Sequence, residues 1–344
     1  MQPRIPEKNK KANICYAITD EGLELPVIDV TRPEFQVALS EGQLDEQLQQ
    51  FVRDAEGPGR LPPLLRRLMF ALMSRQSRLM RGLRASDGAY LSGLNTYFLK
   101  LGPDNLNRGY FSEIDRRIAS SSAGLFMRLR LQDVSHLLAE ALSPVLQARR
   151  SARLRLLNIG GGSAIDSLNA LIVIRSEQAG LLEGRHIAID ILDLNEQAPN
   201  FGARALAALQ GENAPLHGLD VDFEHIRYDW SRPATLREHL NAMDGGAIVA
   251  ASSEGALFEY GSDDEVIGNL RALSDGTPAD SIVAGSVTRG DELGRKLNGR
   301  ELGSRALLHL RGLEAFAALA RQAGWAVARS IDRPLSHDVL LKKV

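Results

Sequence analysis

Three consecutive glycines, Gly160, Gly161 and Gly162, separate an apolar run from an apolar helical pattern in the segment LRLLNIGGGSAID, residues 154–166. Glycine is needed where the backbone adopts positive φ or approaches a ligand closely, and the following helix presents unpaired N–H groups and a positive dipole end. The order of strand, tight turn and helix predicts a cradle for a nucleotide-type ligand. The alternative is that the glycines only allow close packing of helix and sheet, because a lone glycine cluster is a weak signal.

The ends of the neighbouring predicted strands carry further polar groups. In an open α/β sheet, ligands bind outside the carboxyl ends of the strands. Asp193 ends the second apolar run, where a carboxylate can accept hydrogen bonds from ribose hydroxyls, although it could instead cap the next helix. Asp229 and Trp230 follow the third strand and suit the amine and the ring face of an adenine. Trp230 could equally be a core residue.

The glycine spacing argues against a dinucleotide. The fingerprint G-x-G-x-x-G needs its third glycine where this chain has Ile165. The segments NIGGGSA, ILDLN, IRYDW and IVAASSEGALFEY instead resemble the class I S-adenosylmethionine-dependent methyltransferase family of small-molecule type, over about residues 151–344. Asn158 stands where that family usually has an acid, and Ala164 where it has the third glycine.

The resemblance implies a fold, a cofactor and a reaction. The fold is α/β, with a Rossmann-like doubly wound seven-stranded sheet whose last strand is antiparallel. The cofactor is S-adenosyl-L-methionine, and the reaction is methyl transfer to an O or N nucleophile of a small molecule, as in specialised metabolism. The residues expected around the cofactor are Asn158, Gly160, Gly161, Gly162, Ser163, Asp193, Leu194, Asp229, Trp230, Ser252 and Ser253.

Four residues are candidates for the chemical step. Methyl transfer is an in-line displacement, in which alignment alone can contribute as much as ~7–11 kcal/mol. A base is required only if the nucleophile arrives protonated. Glu254 and Glu259, after the fourth strand, are the candidate bases; Tyr260 is expected to position the substrate, and His309 is a further candidate. We see no metal-ligand pattern in the sequence.

Other uses of the fold stay open. An aminopropyl transferase would use the same donor and release methylthioadenosine instead of S-adenosylhomocysteine. A non-catalytic protein that binds a nucleoside or a partner is a second alternative, kept open by Asn158 and Ala164. A nicotinamide dehydrogenase is a third, disfavoured by Ile165.

Alternating strands and helices must position these groups. Short apolar strands separated by helical patterns indicate βαβ units from residue 154 onward. The last two strands are joined by only a short segment, which permits an antiparallel hairpin but no parallel crossover. The predicted strands are 154–159, 186–192, 225–229, 247–252, 281–287, 325–330 and 337–342. The predicted helices between them are 164–178, 197–210, 232–243, 264–273 and 304–323.

The first part of the chain is predicted to be a separate helical domain, residues 1–150, which caps the substrate or forms a dimer; residues 151–344 form the cofactor domain. Thr31 and Glu34 have the spacing of a capping box before the first helix. The helical patterns after it begin near Leu44 and continue at 62–84, 90–101, 121–131 and 133–147, the last with Pro144 as a candidate kink.

Two segments of the helical half carry further hypotheses. Tyr90, Tyr97 and Tyr110 are lid candidates over a small-molecule substrate, with core packing as the alternative. The arginine-rich helix 60–84 has seven arginines and no acid, so it could bind an anionic surface or a partner. It could equally pack on the domain or on a second subunit, and a homodimer is therefore a hypothesis.

Composition restricts the partners. A net charge of −2 gives no global footprint for nucleic acid, and we expect neither nucleic-acid nor membrane binding. Cys15 is the only cysteine, so an intramolecular disulfide is excluded and a reducing compartment is favoured. No apolar stretch approaches a signal peptide or a membrane span, and a cytoplasmic location is predicted.

Overall fold

The architecture was obtained from a computed structural model that describes residues 4–56, 71–85, 92–243, 245–292, 294 and 308–344. A hairpin near the N-terminus consists of β1 (Tyr16–Ile18) and β2 (Glu24–Pro26). The central sheet contains β3 (Leu154–Ile159), β4 (His186–Asp193), β5 (Asp220–Arg227), β6 (Ile248–Ser253), β7 (Ile282–Thr288), β8 (Trp325–Asp332) and β9 (Ser336–Lys343). The helices are α1 (Glu41–Glu56), α2 (Arg78–Ala85), α3 (Gly93–Leu101), α4 (Glu113–Ala119), α5 (Ser122–Ala148), α6 (Ile165–Glu177), α7 (Gln197–Leu209), α8 (Pro233–Asn241), α9 (Leu257–Tyr260), α10 (Asp263–Gly276) and α11 (Gly312–Gln322).

The seven-stranded sheet has the order β5-β4-β3-β6-β7-β9-β8. Strands β3 to β7 are parallel, whereas β9 lies antiparallel between β7 and β8. This confirms the predicted fold class, a doubly wound sheet with an antiparallel last strand. The order reverses at β3 and β6, which is where an open α/β sheet forms its ligand crevice.

Helices cover both faces of the sheet. Leu154 and Leu156 of β3 belong to one apolar cluster, which includes residues of α5, α6 and α7. Leu157 and Ile159 of the same strand belong to a second cluster, with residues of α8, α10 and α11. Among the described helices, none combines the length and the apolar character needed to cross a bilayer.

One strand lies elsewhere than predicted. The third strand of the sheet half spans Asp220–Arg227 instead of 225–229. Its outward positions Asp220, Asp222 and Glu224 are exposed because β5 is an edge strand, half of which contacts water. These charged residues interrupt the apolar pattern on which the strand prediction depends. Asp229 lies just beyond the strand instead of at its last position.

The first helix does not begin where the Thr31 pattern indicates. Residues 30–35 form turns, and the Thr31 hydroxyl donates to Asp29 Oδ1 at 2.6 Å. Helix α1 begins at Glu41. Just before it, Ser40 and Gln43 make the reciprocal backbone-to-side-chain hydrogen bonds of a capping box. The capping box predicted at Thr31 and Glu34 is therefore wrong, and the box lies at Ser40 and Gln43.

Two helices of the N-terminal half differ from the prediction in continuity. Within the described part of segment 62–84, residues 71–76 and helix α2 are separate helices, divided at Ser77. The Ser77 hydroxyl accepts from the Met80 N–H at 3.0 Å and donates to Asp115 Oδ1 at 2.6 Å. The two helices predicted at 121–131 and 133–147 are instead the single helix α5, which contains Pro144.

The N-terminal half and the sheet half share a core. Leu25 of β2, Leu131 and Leu138 of α5, and Leu168 and Leu171 of α6 belong to one apolar cluster. Polar contacts join the same elements: the Asn169 side chain of α6 accepts from the Val30 N–H at 2.7 Å and donates to the Ile28 carbonyl at 3.0 Å. The N-terminal elements therefore hold a fixed position against α6, the helix that follows the glycines.

Candidate functional site

The glycine segment forms a tight loop between β3 and α6. Gly160 and Gly162 have φ values of +62° and +52°, a backbone region that favours glycine. The Gly160 N–H donates to the Leu192 carbonyl at 2.7 Å, and the Gly162 N–H donates to Asp193 Oδ2 at 2.9 Å. The loop is therefore fastened to the end of β4.

Helix α3 approaches this loop closely. A Cβ atom on Gly93 would lie 2.9 Å from both the Gly162 Cα and the Ala198 Cβ. The helix begins there, with the Ser92 hydroxyl accepting from the Asn95 N–H. Because α3 precedes the sheet half by more than fifty residues, its approach brings the N-terminal half over the carboxyl ends of the strands.

A cavity of about 1070 Å³ lies between the two halves. This volume is slightly above the usual range for small-molecule and cofactor sites, ~300–1,000 Å³. From the sheet half it is lined by Gly160, Gly161, Gly162, Ser163, Asp166, Asp193, Leu194, Asp229, Trp230, Glu254 and Tyr260. From the N-terminal half it is lined by Glu21, Arg78, Arg81, Gly82, Ser92, Gly93, Asn95, Tyr97, Phe98 and Lys100, among others.

The carboxylates predicted for ribose and adenine both line this cavity. Asp193 accepts the Gly162 N–H through Oδ2 and the Asn195 N–H, at 2.9 Å, through Oδ1. It does not cap the next helix, because α7 begins at Gln197, whose N–H is accepted by Asn195. Hydrogen bonds from Ser231 lower the pKa of Asp229.

The aromatic and apolar residues nearby complete this end of the cavity. Trp230 is half-buried and approaches the loop: a Cβ on Gly160 would lie 2.9 Å from its ring. Leu194 is 59% exposed, an unusual state for a large apolar side chain in the described part of the chain. Together, Leu194 and Trp230 present apolar surface beside the two carboxylates.

Glu254 is held by two cations from the N-terminal half. Its Oε1 accepts from Arg130 Nε at 2.6 Å, and its Oε2 pairs with Lys100 Nζ. Burial on its own would raise the pKa of Glu254, but the charges of Lys100 and Arg130 outweigh it and lower that pKa. A carboxylate stabilised in this way is a weak proton acceptor, so the geometry opposes the predicted role of Glu254 as a base.

The other candidate bases lie outside the cavity lining. Glu259 is buried and pairs with Arg130 Nη1 at 2.9 Å. The backbone N–H of His309 donates to the Glu259 carbonyl at 2.8 Å. Of the four residues predicted for the chemical step, Glu254 and Tyr260 line the cavity and the other two do not.

Three predicted cofactor residues lie beneath the cavity instead of facing it. Asn158 is fully buried and donates to Asp166 Oδ1 and to the Ser252 hydroxyl, both at 2.8 Å. The Ser253 hydroxyl accepts from the Leu257 N–H at 3.0 Å. Because β3 and β6 are central strands covered on both faces, their last side chains are enclosed in the core. Asn158, Ser252 and Ser253 therefore support the loop from below.

The lid tyrosines have different positions. Tyr97 lines the cavity but is only 1% exposed; its hydroxyl donates to the Pro26 carbonyl and accepts from the Ile28 N–H. Burial raises the pKa of Tyr97. Tyr110 packs against the large apolar cluster away from the cavity. Tyr90 and residues 60–70 of the arginine-rich segment lie outside the described residues. Tyr97 therefore anchors the N-terminal hairpin.

Sequence reasoning missed Lys100, Arg130 and Asp166. Lys100 and Arg130 are basic residues within apolar helical segments, FLKL and FMRLRL, and a charge inside an apolar segment was the available signal. Asp166 looked like an ordinary acid in the first turn of a helix. Within the described ranges, no group of three His, Cys, Asp or Glu side chains is arranged to hold a metal ion.

Comparison with known proteins gives similarity in structure only. No protein-family model matches the sequence, and no curated protein matches it. A solved structure of a possible exported protein from Bordetella parapertussis is similar over 89% of this chain and 99% of that one, with 17% identity and a TM-score of 0.57.

The chain has the fold of class I methyltransferases. This follows from the strand order and the antiparallel β9. The similar solved structures include two methyltransferases with TM-scores below 0.5. The mitomycin 7-O-methyltransferase MmcR is 16% identical, with 78% of this chain and 66% of that one covered and a TM-score of 0.40. An O-methyltransferase of neocarzinostatin biosynthesis was solved in complex with S-adenosylhomocysteine and a dihydroxynaphthoic acid. It is 19% identical, with 55% of this chain and 49% of that one covered and a TM-score of 0.37.

Proposed function

We propose that this protein is an S-adenosylmethionine-dependent methyltransferase acting on an O or N nucleophile of a small molecule. The observation that carries the proposal is the cavity at the carboxyl ends of β3 to β6, which combines the glycine loop, Asp193 and the Asp229–Trp230 pair on one side. The N-terminal half encloses the other side. A dinucleotide would need a glycine at Ile165, which is buried in the first turn of α6.

The residues of the cavity fit the donor in three places. The methionine part would lie along the positive-φ loop, which Trp230 and α3 can approach this closely only because positions 160 and 93 are glycine; a side chain at either would collide with its neighbours. Asp193 would accept hydrogen bonds from the ribose hydroxyls, since each carboxylate oxygen retains a free acceptor site beside its backbone N–H. Asp229, Trp230 and Leu194 would hold the adenine.

When bound, S-adenosylmethionine supplies a methyl group attached to a sulfonium. The chain's own contribution is alignment, which alone can supply several kcal/mol toward such a displacement. Tyr260 and the Lys100–Glu254 pair line the cavity and would orient the acceptor. The N-terminal half, which we propose as the substrate cap, would limit the access of water.

The product identifies the reaction. Incubation with S-adenosylmethionine and a panel of phenols, carboxylic acids and amines should yield S-adenosylhomocysteine with a methylated acceptor, measured by mass spectrometry. Methylthioadenosine as the product would instead indicate the aminopropyl-type alternative, in which this donor transfers its 3-amino-3-carboxypropyl group to the acceptor. Donor binding without either product across the panel would favour the non-catalytic alternative.

The Asp193→Asn variant should bind S-adenosylhomocysteine at least about fivefold more weakly. The reason is that a charge-assisted hydrogen bond is roughly twice as strong as a neutral one, a difference on the order of 1 kcal/mol. Isothermal titration calorimetry measures the change. The control is Asp190→Asn in the same strand. Asp190 is buried against Arg155 and His239 and does not line the cavity. The affinity of the folded control variant for the donor should therefore be unchanged. An unaltered affinity of Asp193→Asn would assign the ribose contact elsewhere.

We propose a cytoplasmic location, because a chain with a single cysteine suits a reducing compartment. A homodimer formed through the helical half also stays a prediction, which measurement of the mass in solution would test.

A further inference from the structure

Asp166 combines burial with access to the cavity. It lies in the first turn of α6, directly after the glycine loop, and is only 4% exposed, yet it lines the cavity. Its neighbours hold it in one orientation. The Asn158 amide donates to Asp166 Oδ1 at 2.8 Å, and the Ser167 hydroxyl donates to Asn158 Oδ1 at 2.9 Å, which fixes the amide group toward Asp166.

Asp166 differs in its charge balance from Glu254, the other acid of the cavity lining whose side chain is almost fully buried. Glu254 is paired with Lys100 and Arg130, and Glu21 is paired with Arg78. Among the described residues, no Lys, Arg or His nitrogen forms an ion pair with Asp166. A buried carboxylate without a counter-ion is unfavourable, and its environment is improved by any cation that enters the cavity.

The electrostatics agree with this description. Burial, followed by the negative charge of Glu254, raises the pKa of Asp166, against the opposing effects of the Ser252 hydroxyl and the Lys100 charge. A positive group bound at Asp166 would reverse that shift.

We propose that Asp166 binds the primary ammonium of the ligand's amino-acid portion and thereby positions that end of the donor beside the glycine loop. The inference rests on the proposed function, since it assumes a nucleoside ligand that carries an amino acid. Asp166 is then a binding residue in the first turn of the helix, held by an asparagine at the end of the strand.

A primary ammonium fits this place better than other cations do. It offers three N–H donors, which can be shared between Asp166 and backbone carbonyls of the loop. A sulfonium has no hydrogen to donate. A divalent metal would require several further oxygen ligands, and the described residues contain no group of three acids or histidines suited to a metal.

The experiment compares two ligands and two variants by calorimetry. S-adenosylhomocysteine carries the amino acid, whereas 5′-methylthioadenosine keeps the nucleoside and lacks the amino acid. For Asp166→Asn, affinity for S-adenosylhomocysteine should fall by a factor of ten or more, while affinity for methylthioadenosine should change less than twofold. For Asp193→Asn, the matched control at the ribose position, both ligands should lose affinity by the same factor.

Each result has a defined meaning. Equal losses of both ligands in Asp166→Asn, or no loss of either, would overturn the inference while leaving the proposed function in place. Failure of the unaltered protein to bind S-adenosylhomocysteine would overturn the proposed function and this inference with it.

If Asp166→Asn does not fold, as judged by circular dichroism, the unaltered protein can be titrated with deaminated S-adenosylhomocysteine. If the deaminated ligand binds at least tenfold more weakly than S-adenosylhomocysteine, the protein contacts the ammonium. The smaller variant Asp166→Ser should then bind the two ligands with equal affinity, which assigns the contact to Asp166. Equal affinity for both ligands in the unaltered protein overturns the inference.

Discussion

Replacing Arg130 by methionine is expected to lower the free energy of unfolding by about 3–5 kcal/mol, because removing one partner of a buried ion pair leaves an uncompensated charge. Arg130 joins Glu254 and Glu259, whose side chains are 5% and 8% exposed. Urea denaturation measures the loss. The same variant should also bind the acceptor more weakly, because Glu254, which we propose orients the acceptor, lines the cavity.

The matched control for Arg130→Met is Arg329→Met. Arg329 pairs with Glu140 at the surface, where both side chains are about half exposed. An exposed pair contributes at most about 1 kcal/mol, so this variant should lose little stability. A loss below about 1 kcal/mol for Arg130→Met would contradict the view that its charge compensates both carboxylates.

The stability difference between the Arg130→Met variant and the unaltered protein should depend on pH. The folded-state pKa of Glu254 is lowered, so its stabilising effect is present above the unfolded pKa, about 4.3, and is lost as the pH falls through the folded value. Removing Arg130 raises the folded pKa of Glu254. The variant's carboxylate therefore protonates at higher pH, and the difference in stability should narrow as the pH falls from the variant's folded pKa toward the lower folded pKa of the unaltered protein.

The Gly160→Ala variant is the second substitution with a large expected effect. Gly160 has a φ of +62°, and an added Cβ would lie 2.6 Å from the Ala256 Cβ and 2.9 Å from the Trp230 ring. Left-handed backbone strain costs about 1–2 kcal/mol, and overpacking adds about 1–3 kcal/mol. Because relief of the collision would displace Trp230, which lines the cavity, donor affinity should fall at least tenfold, as measured by calorimetry.

Gly218→Ala separates the two causes. Gly218 has a φ of +75°, but nothing lies within 4 Å of an added Cβ. It should therefore show the backbone strain alone, about 1–2 kcal/mol, with unchanged donor affinity. Equal effects of the two substitutions on binding would contradict a specific role for the Gly160 turn.

The parts of the fold that were predictable depend on local chemistry. The apolar run of β3, the glycine turn and the short connection between β8 and β9 each determine their structure within a few residues. The edge strand β5 was misplaced because its exposed face carries acids, and the capping residues of α1 were misplaced because Thr31 and Ser40 offer similar local signals. A long-range packing context decides between such signals.

The ion pairs of the site could not be derived from the sequence in the same way. Glu254 lies 154 residues from Lys100 and 124 from Arg130. Sequence spacing gives no information about such contacts, and the acid that looked free to act as a base is in fact compensated twice. For Asn158 the sequence indicated the position, at the end of a strand, but not the contact. Only the three-dimensional arrangement shows that its amide donates to Asp166.

The most direct test of the account is a calorimetric titration of the unaltered protein with S-adenosylmethionine, S-adenosylhomocysteine and NADH under one set of conditions. We predict saturable binding of the first two ligands at one site per chain and no binding of NADH. Saturable binding of NADH alone would contradict the assignment of the cavity to a sulfonium nucleoside.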